Sequence, residues 1–179
     1  MTIVPDTKDW TWVLQRPCPE CGFDTGGFPV EALPGMIMAN AAAWPRALAG
    51  PEVPGDPASR PEPGKWSPLE YACHVRDVFR LYDQRLELML SQDDPLFANW
   101  DQDETAVAGR YAEQDPAQVA AGLVESAQTI ANHFQGVTGD QWQLTGNRSD
   151  GARFTVETFA RYLIHDPVHH LYDVTGLRS

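Results

Sequence analysis

Apolar residues recur at helical spacing in four stretches of the chain, and links rich in proline, glycine and acidic residues separate them. The first stretch, "PVEALPGMIMANAAAWPRALA" (29–49), is helical in period, although Pro34 and Pro45 limit its regular part. A proline- and glycine-rich crossing loop, "GPEVPGDPASRPEPGK" (50–65), follows. The second helix has a defined start: Ser67-Pro68-Leu69-Glu70 is a capping box with proline at the first helical position. Tyr71, Val75, Val78, Phe79, Tyr82, Leu86 and Met89 then form one apolar stripe, with Arg76, Asp83 and Glu87 outside it, and the helix is predicted to end near Ser91.

An acidic, partly helical connection occupies 92–114 before Asp115-Pro116, with Gln118 reaching back, opens a third helix through Phe134. "GVTGDQWQLTGNRSDGAR" (136–153) reads as an irregular link, and Thr155 caps a last helix that runs through Val174 and is closed by Gly176. The first 28 residues differ, mixing a short alternating aromatic stretch with "CPECG". The pattern predicts an all-α fold: a four-helix bundle over 29–179 with long connections, preceded by an irregular arm (1–28) that contains at most one strand.

A formal net charge of −12 opposes binding to phosphate backbones or anionic membrane surfaces, which require clustered Lys and Arg. No window approaches the ~20 apolar residues of a membrane span. The start "MTIVPDTKDW" has neither a basic nor an apolar leader region, so a cytoplasmic protein is expected. The partners to expect are a small-molecule substrate and, at most, a second copy in a homodimer, with no nucleic acid and no membrane.

Most of the candidate chemistry lies in "IHDPVHHLYD" (164–173). At about 100° per residue, His170 projects roughly 50° from the apolar centre of its helix and Asp166 roughly 90°, whereas His165 and His169 project roughly 160° away, toward solvent. Two pairs with i,i+4 spacing therefore compete as ligand pairs, Asp166 with His170 and His165 with His169. Pro167 between them predicts a kink, and a large enough rotation there would exchange their roles. His74 on the second helix also lies at a core edge, roughly 90° from its apolar centre. With Asp166 and His170 it makes a two-histidine, one-carboxylate set that leaves coordination positions open on Zn, Fe or Ni. The plainer alternative is that these histidines serve as ion-pair or capping groups.

Cys18 and Cys21 form half a zinc motif, and Cys73 is the only other cysteine, so counting excludes a site of four cysteines. A pair of reduced thiols ranks first, a reversible disulfide second, and a mixed zinc site with a histidine such as His133 last. Arg148 and Arg153, just before the last helix, are candidates for holding a substrate carboxylate, with Arg148 tied to Asp150 as the alternative.

The segments "WSPLEYACHVRDV" and "HDPVHHLYDV" resemble the DinB-like superfamily, which includes thiol-dependent maleylpyruvate isomerases and bacillithiol-transferase-like proteins. The likeness runs from about residue 30 onward. It implies a divalent metal held by His74 and by two groups four residues apart on the last helix. "Asp166-x-x-x-His170-x-x-Asp173" follows the isomerase form with Asp in place of Glu, and Asp173 then orients a ligand from behind. "His165-x-x-x-His169" matches the alternative His-x-x-x-His form, with the following Asp one residue out of step. The resemblance implies addition or transfer of a low-molecular-weight thiol of the mycothiol kind to a small electrophile, or an isomerisation. The alternative is a non-catalytic ligand- or metal-binding bundle of a stress response. Tyr71 and Tyr162 are candidate nearby hydroxyls, and no further catalytic residue is assigned. No Gly-rich strand-to-helix turn is present, which excludes a Rossmann-like nucleotide site.

Overall fold

The computed structural model describes residues 10–50, 53 and 55–178. Its helices are α1 (Leu33–Ala49), α2 (Pro68–Ser91), α3 (Gln102–Ala108), α4 (Pro116–Gln135) and α5 (Val156–Thr175), with a hairpin of β1 (Thr145–Asn147) and β2 (Arg153–Thr155) before α5. The helix starts follow from side chains that satisfy backbone N–H groups left over by the first turn. The Ser67 hydroxyl accepts from the Glu70 N–H at 3.2 Å while the Glu70 carboxylate accepts from the Ser67 N–H at 2.8 Å. The Asp115 carboxylate accepts from the Gln118 N–H, and the Thr155 hydroxyl from the Thr158 N–H. Gly176 closes α5 at φ +71°, a conformation that strains other residues.

Neither internal proline ends its helix. α1 continues through Pro45, and α5 through Pro167. Each proline removes one helical hydrogen bond, but Trp44, Ala47 and Leu48 around the first, and Leu163, Ile164 and His169 around the second, are buried against the rest of the molecule. Packing on that scale outweighs the lost bond.

The helices α1, α2, α4 and α5 form the bundle. α4 packs against both α1 and α2, and α5 also packs against both, so α1 and α2 sit on one diagonal and α4 and α5 on the other. Trp44, Phe79, Leu86, Leu123, Ile130, Phe159 and Leu163 fill the centre. Each such side chain contributes about 1.5–3 kcal/mol by leaving water. The four-helix architecture expected from the apolar pattern is the one observed.

Two links differ from the expectation. The 136–153 connection contains the antiparallel hairpin, with Gly146 opposite Phe154. A Cβ on Gly146 would lie 2.5 Å from Phe97 Cζ and 2.9 Å from Met89 Cγ, so only glycine lets β1 lie flush on the bundle end. Strands of three residues are too short to show alternation in the sequence. In the arm, Trp10–Leu14 is a 3₁₀ turn, not a strand, and the first nine residues lie outside those described. Its Val13 is buried, and the Thr25 hydroxyl donates to the Val13 carbonyl at 2.6 Å. Arg161 of α5 donates to the carbonyls of Thr25 and Phe28 while Glu157 holds its other side, which fastens the arm along α5. No described helix is long and apolar enough to cross a membrane.

Candidate metal centre

Firm helix starts fix where the candidate ligands point. The Ser67–Glu70 cap sets the first turn of α2, and a fork from Arg60 to both oxygens of Glu70 braces it. Burial would raise the Glu70 carboxyl, but Arg60 and the Ser67 N–H outweigh it and hold the group below the usual glutamate range. His74 then follows in the second turn, buried and enclosed by the rings of Trp66 and Trp100 at 5.2 and 5.5 Å. On α5, the carbonyl of Pro167 accepts from Asn40 Nδ2 at 2.9 Å, and Asn40 is itself held by Trp44, so the register of α5 is tied to α1 beside the proline.

This arrangement brings together His74, Asp166 and His170, one ligand atom of each lying within 4.8 Å of the others. His74 Nε2 is 3.4 Å from Asp166 Oδ1 and 3.5 Å from Oδ2, and His170 Nε2 is 3.8 Å from Oδ2. Bond lengths of about 2.0–2.2 Å at a tetrahedral ion separate neighbouring N and O ligands by about 3.4 Å, close to the observed spacing. Asp166 Oδ1 is buried with no hydrogen-bond partner among the described residues. An orphaned carboxylate oxygen between two imidazoles is satisfied by a cation. Burial alone would raise the Asp166 carboxyl, yet the neighbouring His74 and His170 hold it well below the usual aspartate range, ionised and ready to ligate. The residues fit a divalent ion of the Zn, Fe or Ni kind with at least one position open.

Asp173 lies behind His170 and its carboxylate accepts from Nδ1 at 3.0 Å, which orients the ring with Nε2 aimed at the centre. The open side faces a cleft of about 670 Å³. Tyr71, Tyr82, Arg85, Trp100, Arg148 and Tyr162 line it. Both candidate tyrosines are therefore present, Tyr71 with its ring 4.9 Å from that of His170. Arg148 is tied to Asp150 in a fork, the alternative of its two sequence readings, and its Nη1 donates to the Tyr162 hydroxyl at 3.0 Å on the cleft wall. Arg153 does not reach the cleft. It is exposed and paired at 3.2 Å with Asp94 in the link after α2, because the β2 strand turns it outward.

His165 and His169 are 4 % and 7 % exposed, so their expected solvent-facing position is overturned. The arm covers that face of α5 and brings Cys18 and Cys21 to it. His133, the histidine named earlier for the cysteines, is instead paired with Asp83 at 3.0 Å.

Arg85 was missed in the sequence. It is 7 % exposed, its Nη2 donates to the Ala98 carbonyl, and its Nε has no partner among the described residues. The available signal was a cation between Tyr82, Leu86 and Met89 on an otherwise apolar stripe. A charge there needs a reason, and the cleft supplies one.

A sequence model of the DinB superfamily matches residues 46–174 of the chain. No curated protein sequence matches it. Among solved structures, YfiT from Bacillus subtilis aligns with a TM-score of 0.70 at 18 % identity, over 82 % of this chain and 86 % of that one. YfiT is described as "a probable metal-dependent hydrolase with an unusual four-helix bundle topology". At that identity the likeness shows the fold.

Proposed function

The chain belongs to the DinB superfamily, and from that premise we propose that it is a metal-dependent enzyme that adds or transfers a low-molecular-weight thiol to a small electrophile, or isomerises such a molecule. The observation that supports this reading is the convergence of buried His74 Nε2 with the Asp166 carboxylate and His170 Nε2, the latter two residues lining an open cleft. His74, Asp166 and His170 would hold a divalent ion there, and it would supply Lewis acidity that lowers the pKa of a thiol.

The chain's own residues do the rest. Asp173 holds the tautomer of His170, and Trp66 and Trp100 shield His74 from water. Arg148, pre-aligned by Asp150 and Tyr162, presents a cation on the cleft wall where a substrate carboxylate can dock, and Arg85 adds a second positive charge deeper in. A substrate held at both ends loses orientational freedom before it reacts.

The likeness to YfiT favours a second reading, in which water replaces the thiol and the reaction is hydrolysis. A single assay separates the two. Zinc- or nickel-loaded protein is given a panel of small electrophiles and esters with and without cysteinyl or glutathione-like thiols. Thiol consumption accelerated by the protein, and lost in His74→Ala, supports transfer. Ester cleavage that ignores the thiol supports hydrolysis. Metal bound without either turnover overturns both and leaves a binding protein.

A further inference from the structure

Four buried polar groups stand apart from the His74 centre. Cys18 and Cys21 are 1 % and 0 % exposed, and they meet His165 and His169 under the arm. Cys18 Sγ lies 3.6 Å from His169 Nδ1, and Cys21 Sγ lies 3.8 Å from His165 Nε2. One ligand atom from each of the four is within 4.8 Å of all the others. Around a tetrahedral zinc ion with Zn–S of about 2.3 Å and Zn–N of about 2.05 Å, the S···N edge is about 3.6 Å. The two cysteine–histidine contacts already have about that spacing.

The backbone favours the same reading. In Cys18-Pro19-Glu20-Cys21-Gly22 the Gly22 N–H donates to the Cys18 carbonyl at 2.9 Å, and Gly22 takes φ +83°. The Cys18 N–H returns to the Phe23 carbonyl at 2.9 Å, so the loop is a closed knuckle. Outside the ring of ligands, His169 Nε2 is turned toward Glu20 and Asp173, at 3.6 and 3.9 Å, which leaves its Nδ1 facing the cysteines. The Trp10 ring lies against both imidazoles at 5.5 and 5.1 Å and covers the cluster.

We propose that Cys18, Cys21, His165 and His169 form a closed Cys₂His₂ zinc site, separate from the His74 centre, that fastens the N-terminal arm to α5. Binding replaces two thiol protons, released to solvent, with one divalent cation, so the buried centre is electrically neutral. All four zinc positions are taken by protein, which makes the site structural rather than catalytic.

The decisive experiment uses the full chain, stripped of metal under reducing conditions and titrated with Co(II), followed by visible spectroscopy and metal analysis of zinc-purified protein. The expected result is two metal ions per chain, one for each group, with a thiolate-to-cobalt charge-transfer band and intense tetrahedral visible bands. The band should vanish in the Cys18→Ser, Cys21→Ser double variant, which holds one ion fewer, and persist in His74→Ala. Failure of the band with metal still bound at His74 refutes this site alone, and loss of metal at His74 with the band intact refutes only the centre proposed above. A Cys18–Cys21 disulfide in protein purified with zinc, or unchanged metal content in the double variant, would also overturn it. If the double variant does not fold, the wild-type cobalt spectrum still decides.

Discussion

On one side of α5, His165 and His169 meet two cysteines of the arm; one residue further along, Asp166 and His170 meet His74 of α2 and a cleft. The two pairs have the same i,i+4 spacing and differ by a rotation of about 100°. What separates them is the cover. The first cluster offers four buried protein ligands and meets the edge of the same cleft only through His165, His169 and the Trp10 that lies over them, which suits an ion whose role is to hold the chain in place. The second has three protein groups and a wall of aromatic and arginine side chains around free volume, which suits an ion that meets a substrate. Asp173 links them, accepting from His170 Nδ1 at 3.0 Å and standing 3.9 Å from His169 Nε2.

The strongest test of this contrast is His74→Ala. Activity should fall on the order of a thousandfold, because a lost ligand removes several kcal/mol of charge stabilisation, while the cobalt–thiolate band and the docking of the arm stay intact. Equal loss at both clusters would merge them into one cooperative unit. The Cys18→Ser, Cys21→Ser variant should give the converse: a melting temperature lower by roughly 5–10 °C, rapid chymotryptic cleavage in the arm after Trp12 or Phe23, and kcat within a few-fold of wild type. A native arm that resists chymotrypsin in that variant would show that Arg161 and Val13 hold it without metal.

Asp173→Asn should weaken metal binding at the His74 centre about 10–100-fold, with a smaller effect on the Cys₂His₂ site, where Asp173 stands further away. Competition with a chromogenic chelator reads both affinities. The smallest effect is expected from Glu70→Gln, which loosens the first turn of α2 and so disturbs His74 but not the arm. The Glu70 carboxyl is lowered in the folded state, so its contribution is complete above the ordinary glutamate pKa of about 4.3 and fades as pH falls through that value toward the folded one. The difference in stability between wild type and variant, about 1–2 kcal/mol at pH 7 and read from their melting curves, should therefore shrink below about pH 4.

Much of the fold was legible because its signals are local. The caps at Ser67, Asp115 and Thr155 and the glycine at 176 are short-range hydrogen-bonding and φ requirements, and the helices start and stop where those residues place them. His74, Asp166 and His170 were legible as candidates because helical periodicity puts each at a core edge, while the choice of their register and the addition of Asp173 came from the resemblance to the DinB-like superfamily. The hairpin, Arg85's role and the position of Arg153 were not, since each depends on what a neighbouring segment covers. The histidine pair at 165 and 169 is the clearest case. A helical wheel measures direction from one helix's own apolar centre and has no term for an arm more than a hundred residues earlier in the chain.

The sequence by itself determined the bundle, the helix boundaries and one face of α5, because cap chemistry and a 3.6-residue period act within a few residues. Only the tertiary structure decided that the opposite face is also an interior, and that Cys18 and Cys21 have histidine partners 144 and 151 positions away. Bringing such groups together requires the arm to fold back along α5, and no local pattern encodes which surface a distant segment will cover.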